Sequence, residues 1–538
     1  MLDLKESMRA AAMLYRDFSL TTLVAAIALA FPIAGRGQQK TANETATRPY
    51  SLQVQSRLVV LDVVVTDHTG AIRSDLKAED FHVTEEGVEQ KIISFETPSA
   101  HIIPSQNGPI SSTAELDKRA PQSPVNIVVL DELNTTFQDM AFARYALKKY
   151  LNSQAGAVQA PTMLIAVSFD KFTVLHDYTQ DRTAVLSALD HHLAAYPWNL
   201  QRGEGKVRTM VLSLGAIEQV AQATAGHPGH KNLIWVGKGF PGIDLVSPSL
   251  DVSTVAGITG AMKDAVNMLR DSRITLYTVD PTLLTAALAV TTDADSVPGL
   301  ADVPGAPAPD PFDKDASFEA LARTTGGKSF YSRNDVDREI GESVRDGENY
   351  YTISYRPTSS SDETKPFRRI RITFATPGLH AAYREGYFNR EPASPTKPGT
   401  RIDYDMDAAI ESPLVYTGLS VRVEQKPGVP GTYVVAIPQE ELVWSADGDK
   451  ESAKLQLIAA VLDKKGRILS RDTKNTTERR PLVPTGTADR GPALLETQVS
   501  VPADATRVRF VVRGLADGRM GTADVQFPNA AKRDHPSR

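Results

Sequence analysis

The residues best placed for chemistry in this 538-residue chain are oxygen-bearing and charged side chains that follow short apolar runs. Such runs read as buried strands of a doubly wound α/β layer, in which ligands sit beyond the carboxyl ends of the strands where strand order reverses. After the run at 126–130 (NIVVL) comes Asp131-Glu132-Leu133-Asn134-Thr135-Thr136, leading straight into a helical pattern. Thr179, Asp181 and Asp280 also follow or neighbour strand ends, and the run at 232–236 (NLIWV) is followed by Gly237-Lys238-Gly239. Gathered at one rim, Glu132, Asn134, Thr179, Asp181 and Asp280 would offer oxygens to a partner, and Lys238 would meet an acidic group. A competing reading makes Asp131 and Thr135 helix caps, because short oxygen-bearing side chains satisfy the first backbone N–H groups of a helix.

Other motifs fail on their mechanics. The run 322–329 (ARTTGGKS) imitates a phosphate loop, but such a loop must run from a strand into a helix whose N-terminus faces the phosphates. Here a helical pattern precedes it and the strand-like SFYS follows, so Gly326-Gly327 is expected to close a helix. His227-Pro228-Gly229-His230 supplies two imidazoles without a third ligand at a defined spacing, and Pro-Gly is turn chemistry. His191 and His192, adjacent on a helix, cannot share a face. Asp313, Asp315 and Ser317 start like a calcium loop, yet Phe318 stands where glycine is needed. Neither a Gly-x-Ser-x-Gly elbow nor a His-Glu-x-x-His helix occurs, and Ser213 falls in an apolar helical stripe with Val207, Val211, Leu214 and Ile217.

The elements that must hold the rim alternate between strand and helix across 124–349. Strands are expected at 126–130, 163–168, 172–175, 232–236 and 274–279, and helices from about 140 and over 182–195, 207–224, 254–269 and 317–323. Continuously apolar strands imply a sheet covered on both faces. Residues 51–98 read as strands, too little chain for a core of its own, and 350–388 read as strands again. The two clusters are therefore expected to pair into one small sandwich interrupted by the α/β block. Residues 413–530 carry only β signals and read as a separate C-terminal sandwich. Linkers are expected at 99–123 and 389–412, and the Pro/Ala/Gly/Asp-rich stretch 293–313 reads as a surface insertion.

Composition excludes several classes. Hydrophobic residues are 41% and charged residues 23%, with a net charge of −6, so no basic excess points to nucleic acid. There is no cysteine, which removes disulfides, thiolate zinc sites, a Cys nucleophile and a lipid anchor on cysteine. Residues 1–34 carry Lys5, Arg9 and Arg16, then an uncharged run at 18–34, and 35–50 is polar. That is the layout of an export signal followed by a linker, although Asp3, Glu6 and Asp17 offset the three bases. The expected location is periplasmic or extracellular, with membrane attachment only if the N-terminal segment stays uncleaved.

With LDVVVTDHTGAIRSDLKAEDF, IVVLDELNT, KNLIWVGKGFP, LARTTGGKSFY and YYTISYRP…LHAAYREGYF in this order, residues 51–388 resemble the exported proteins related to the von Willebrand factor type A domain that abound in acidobacteria. The resemblance implies a Rossmann-like central domain and a metal-ion-dependent adhesion site, Asp-x-Ser-x-Ser after the first strand with a Thr and an Asp from later loops. Asp131 matches the Asp and Thr135 stands for the second Ser, while Leu133 replaces the first Ser and Gly237-Lys238-Gly239 stands where the later Asp belongs. The resemblance thus implies a degenerate site, with Asp131 and Thr135 left to hold a divalent cation such as Mg or Mn. The expected function is non-enzymatic binding of a protein partner at the cell envelope. The alternatives are an envelope assembly module with a vestigial site and a hydrolase with an unrecognised site.

Overall fold

Alternation sets the first strands: in β2 (Phe81–Glu85) the residues Phe81, Val83 and Glu85 are buried while His82 and Thr84 lie outward, the period of a half-covered sheet. The computed structural model describes residues 58–538 except 104–107, 170, 196–204, 283–309, 332–334, 359–366, 389–397, 449, 482–490 and 528–538. The expected export signal at 1–34, the linker at 35–50, the first residues of the β module and most of the insertion at 293–313 lie outside the described residues. No described helix is long and apolar enough to cross a membrane.

With β2, the strands β1 (Val59–Asp67), β3 (Val88–Glu89) and β4 (Ile92–Glu96) open the described chain. The block that follows runs α1 (Thr113–Arg119), β5 (Val125–Asp131), α2 (Phe137–Ser153), β6 (Thr162–Val167), β7 (Phe172–Thr179), α3 (Arg182–His191), α4 (Lys206–Ala223) and β8 (Lys231–Val236). It continues with β9 (Ile243–Asp244), α5 (Val252–Asp271), β10 (Ile274–Val279), β11 (Asp315–Ala316), α6 (Phe318–Thr324), β12 (Ser329–Phe330) and α7 (Val336–Glu348). Six strands form one sheet in the order β12-β10-β8-β5-β6-β7, parallel except for β7 at the edge. Every residue of β5, β6 and β8 is buried, as a sheet covered on both faces requires. Ile127, Val129, Ile165, Leu233 and Trp235 join the core with α4, α5 and α6, while their neighbours Val128, Leu130, Leu164, Ile234 and Val236 join the core with α2, α3 and α7.

The chain then returns through β13 (Tyr351–Tyr355), β14 (Phe367–Phe374), β15 (Leu379–Ala382) and β16 (Gly386–Phe388). These interleave with the opening strands in two four-stranded sheets, β15-β1-β13-β4 and β16-β14-β2-β3. Leu61, Val63, Phe81 and Val83 from one end of the segment share a core with Tyr351, Ile353, Ile370 and Ile372 from the other. Neither half has an inner face without the other. Inside this core the fully buried Glu85 pairs with Arg368 at 2.5 Å and accepts the hydroxyls of Tyr355 (2.7 Å) and Tyr387 (3.0 Å). The whole α/β block is inserted between β4 and β13.

Two expected linkers are structured. Within 99–123, α1 is capped by Ser112 and buries Leu116, and Thr113 ties it to Asp177 of β7 at 2.8 Å through its backbone N–H. Seven residues with one buried side chain leave no period to read. Within 389–412, α8 (Pro398–Glu411) buries Met406, Ala409 and Ile410, the three- and four-residue spacing of a helical face. The Pro/Ser-rich lead-in masked it, and its proline sits at the first helical position, where a missing N–H costs nothing. Asp405 on α8 pairs with Arg513 at 2.6 Å, so α8 is fastened to the domain that follows rather than hanging between two.

That C-terminal domain comprises β17 (Arg422–Gln425), β18 (Thr432–Ile437), β19 (Ser445–Asp447), β20 (Lys450–Leu462), β21 (Ile468–Pro481), β22 (Ala493–Gln498), β23 (Arg507–Gly514) and β24 (Met520–Gln526). One sheet runs β17-β18-β22, and the other β19-β20-β23-β24 with β21 on β20. One face of β20 and β23 (Leu457, Ala459, Phe510) packs on the other sheet. The opposite face (Ile458, Ala460, Val511) packs with α8 into the core of the α/β block.

Candidate functional site

Asp131, the last residue of β5, is fully buried. Its Oδ1 accepts the backbone N–H groups of Leu133 (3.1 Å) and Asn134 (2.9 Å), turning the chain out of the strand. Its Oδ2 accepts Trp235 Nε1–H at 3.0 Å and Gly239 N–H at 2.8 Å. Asn134 Nδ2 lies 3.4 Å from both oxygens and donates to Ser213 Oγ at 2.9 Å. Burial pushes the Asp131 carboxyl above its ordinary value, and the donors on Trp235, Asn134 and Gly239 offset only part of that.

The loop after β8 lies directly on this carboxylate. A Cβ on Gly237 (φ 150°) would stand 2.3 Å from Asp131 Cβ, and one on Gly239 (φ 65°) 2.4 Å from the Phe318 ring. Only glycine lets backbone approach so closely at these angles. Between the two glycines, Lys238 donates its backbone N–H to Thr135 Oγ1 at 3.0 Å and leaves its side chain exposed.

At Asp131 and Thr135, the pair expected to hold a divalent cation, the side-chain oxygens are engaged by protein donors. A divalent cation needs several oxygens with free lone pairs. Here both Asp131 oxygens are ringed by N–H donors, Thr135 accepts from Lys238, and Leu133 is apolar. This donor set does not fit Mg or Mn. Among the described residues no group of three or more His, Asp or Glu side chains is placed to hold a metal ion. The capping role expected of Asp131 and Thr135 is also corrected, because Thr136 caps α2 by accepting Asp139 N–H at 3.2 Å.

Of the other rim candidates, Asp280 follows β10 at the same sheet edge as Asp131 and accepts the backbone N–H of Thr282 at 2.9 Å. Asn134 belongs to the Asp131 cluster. Glu132 is buried, pairs with His192 Nε2 at 2.6 Å and accepts Ala195 N–H at 2.8 Å, tying the end of α3 to the sheet instead of facing a partner. Thr179 and Asp181 are at the wrong end. Because β7 runs antiparallel, Thr179 pairs with Thr162 at the start of β6, whereas Asp131 pairs with Val167 at its end. At about 3.3 Å per residue the separation is about 17 Å. Asp181 caps α3 there, accepting Thr183 N–H at 2.8 Å.

The phosphate-loop imitation closes α6: with Gly326 at φ 88°, its N–H reaches Arg323 O at 2.9 Å and that of Gly327 reaches Ala322 O at 3.1 Å. Ser317 caps the same helix, and Ser213 donates to Thr209 O at 2.9 Å inside α4. His227 is buried, with Nε2 2.8 Å from Ser123 O.

Among the described residues, a cluster of enclosed ionisable groups that sequence reasoning missed is at the amino end of the sheet, where the first sandwich meets it. Asp62 of β1 accepts His230 Nδ1–H (2.9 Å), Arg273 Nη2–H (2.5 Å) and the Thr352 hydroxyl (3.0 Å). Lys231, fully enclosed, donates to His227 O (2.5 Å) and Gly229 O (2.9 Å), and burial pulls it down to about 7. Tyr350 lies between the rings of His101 and His230, at centroid distances of 4.3 and 4.6 Å. The available signal was a charge inside an apolar run, Asp62 in LVVLDVVV, since such a charge stays buried only when paired.

No family model matches the sequence, and no curated protein matches it. Among solved structures, the SpRpn10 VWA domain aligns at 12% identity and a TM-score of 0.16, covering 30% of this chain and 89% of that one. An endonuclease/exonuclease/phosphatase from Beutenbergia cavernae DSM 12333 aligns at 12% identity and a TM-score of 0.12, covering 34% and 39%. The first is compatible with a von Willebrand factor type A resemblance; at these scores neither carries an argument about fold or function.

Proposed function

We propose that the protein is an exported, non-enzymatic binding module whose α/β block, of the von Willebrand factor type A kind, presents its carboxyl-edge rim to a protein partner without a metal ion. The observation that carries this reading is the saturation of Asp131 by N–H donors, which converts the would-be ligand into the anchor of the 237–239 loop. What the rim then offers outward is the exposed Lys238 amine of the 237–239 loop and, at the start of α2, the exposed ring of Phe137. An exposed cation at the rim suits an acidic group of the partner. The carboxylate that would bridge to a metal in an adhesion site is here supplied to a lysine.

A second reading, an envelope assembly module with an idle rim, is favoured by the single core that joins the α/β block, α8 and the C-terminal sandwich. The two separate in a capture experiment from envelope extract with the full chain, run with and without EDTA. The binding reading expects an acidic protein to be retained equally in both buffers, lost by about tenfold or more with Lys238→Glu, and kept with Lys238→Arg. Loss in EDTA would overturn it. Unchanged capture by Lys238→Glu would move the contacts to the sandwiches.

A further inference from the structure

In the C-terminal sandwich β21 is an edge strand of 14 residues, longer than the roughly 3–10 of most strands. It pairs with β20 along its whole length, from Ile468 opposite Leu462 to Pro481 opposite Lys450. On its other side, among the described residues, the backbone meets no strand. Residues 471–475 are exposed in succession, so neither face is covered there. From 468 to 480 there is neither proline nor glycine. A long row of free N–H and C=O groups is a template for a further strand, which proteins ordinarily blunt by shortening, proline or charge. Here only charge is used, and its spacing decides which strand is admitted.

A second copy's β21 presents the same free edge, and symmetry restricts how two copies can meet. When antiparallel strands join across a two-fold axis, the axis stands perpendicular to the sheet and leaves each face on its own side. Opposed residues must then be both odd or both even, and the axis passes through a residue position. An axis through Lys474 brings two lysines together; one through Asn475 sets Asp472 against Glu478 and Arg471 against Arg479; one through Thr477 sets Lys474 against Arg480. Like charges directly opposite destabilise a pair of strands. An axis through Thr476 opposes Lys474 to Glu478 and Asp472 to Arg480, each twice, with threonine on threonine at the centre and no like-charged pair from 471 to 481. An axis through Thr473 also avoids conflict, but it overlaps only 468–478 and opposes charges only at Asp472 and Lys474.

The four charged residues lie on one face of β21, and their present contacts leave capacity for more. Lys474 Nζ donates to the backbone carbonyl of Glu496 at 2.9 Å, and Glu478 has no ion pair among the described residues. Asp472 accepts the Thr497 hydroxyl at 2.9 Å, and Arg480 Nε–H donates to Glu451 at 2.7 Å. A carboxylate retains further lone pairs and a guanidinium further N–H groups. We infer that two copies of this chain join edge to edge through β21, antiparallel and two-fold about Thr476, into one sheet continuous across the dimer. Pairing of about eleven residues from each copy supplies roughly ten backbone hydrogen bonds. Such a contact is at the small end of protein interfaces, so a Kd on the order of 10 µM is expected. It does not rest on the rim at Lys238 being a binding surface.

The test is sedimentation velocity of the full chain from ~1 to ~300 µM, a span that brackets that Kd. The wild type is expected to pass from monomer to dimer. Lys474→Glu and Glu478→Lys each set like charges opposite one another twice, and each is expected to weaken self-association at least about tenfold. Mixed in equal amounts, the two variants are expected to pair with each other about as tightly as the wild type, because each supplies the charge that the other lacks. The double swap Lys474→Glu/Glu478→Lys is expected to dimerise again, and so is Lys238→Glu, which lies outside β21. The dimer is refuted if the wild type stays monomeric throughout, or if both single reversals associate as it does. Failure of the mixture and of the double swap to associate, with thermal melts showing each protein folded, refutes the register. Loss of the dimer in Lys238→Glu would place the contact at the rim and overturn the assignment to β21.

Discussion

Two aspartates, Asp62 and Asp131, sit at opposite edges of the molecule's central layer, both buried, both accepting four or more hydrogen-bond contacts, and their carboxyls are driven in opposite directions. For each, burial is the largest influence and pushes the carboxyl up. At Asp62 the charges of Arg273 and His230 overcome it and hold the group well below the usual carboxylate range. At Asp131 the donors are backbone and indole N–H dipoles, which satisfy the oxygens but do not bring a countercharge, and the group stays raised. A hydrogen-bond count alone would equate the two sites. The distinction between a dipole and a full charge separates them, and it assigns the electrostatic work to the edge where the sandwich docks.

The difference is broken most directly at Asp62. Asp62→Asn leaves the partly buried Arg273 charge and the buried His230 without their carboxylate, and is expected to cost about 3–5 kcal/mol in denaturant unfolding. Asp131→Ala leaves N–H dipoles rather than a charge unpaired, so it is expected to cost less, about 2–4 kcal/mol. A loss at Asp131 as large as that at Asp62 would mean that the donors around Asp131 carry more than dipoles. Addition of millimolar magnesium is expected to leave the melting temperature of the wild type and of Asp131→Ala unchanged, because the donor set does not fit the ion. A magnesium-dependent rise in the wild type alone would restore the adhesion-site reading.

The parallel layer was legible because its strands announce themselves: NIVVL, NLIWV and ITLYTV are continuous apolar runs, and each is a strand of the sheet. What escaped was whatever depends on strand direction or on distant pairing. Thr179 and Asp181 look like rim residues as long as β7 is taken as parallel, and a single reversal carries them to the other end. The helices α1 and α8 escaped because Pro/Ser-rich composition outweighs one short apolar face. The pairing of Asp62 with His230 and Arg273 spans 168 and 211 residues, which no local pattern encodes. The Gly237-Lys238-Gly239 loop was read only as a missing carboxylate, whereas its glycines mark a backbone laid on Asp131.

The two edges also answer acid with opposite sign, which gives the most delicate of these tests. His227, His230 and His101 at the amino edge are all lowered by burial, His227 to about 4. Between the ordinary histidine value of about 6.5 and the folded value, the unfolded chain binds more protons than the folded one, so stability falls as pH falls. Asp62, also lowered, adds to the loss at still lower pH, by the same sign. Asp131, being raised, binds its proton more readily in the folded state and works the other way, stabilising the fold as the solution is acidified. For His227 alone the window from pH 6.5 to 5 corresponds to about 1.5 kcal/mol. His227→Gln preserves a donor toward Ser123 O without titrating, so its stability is expected to fall less steeply than that of the wild type over this window, by about that amount, in denaturant unfolding at a series of pH values. Parallel pH profiles for the two proteins would show that His227 takes up its proton without opening the junction, and would move the acid sensitivity of this edge onto His230 and His101.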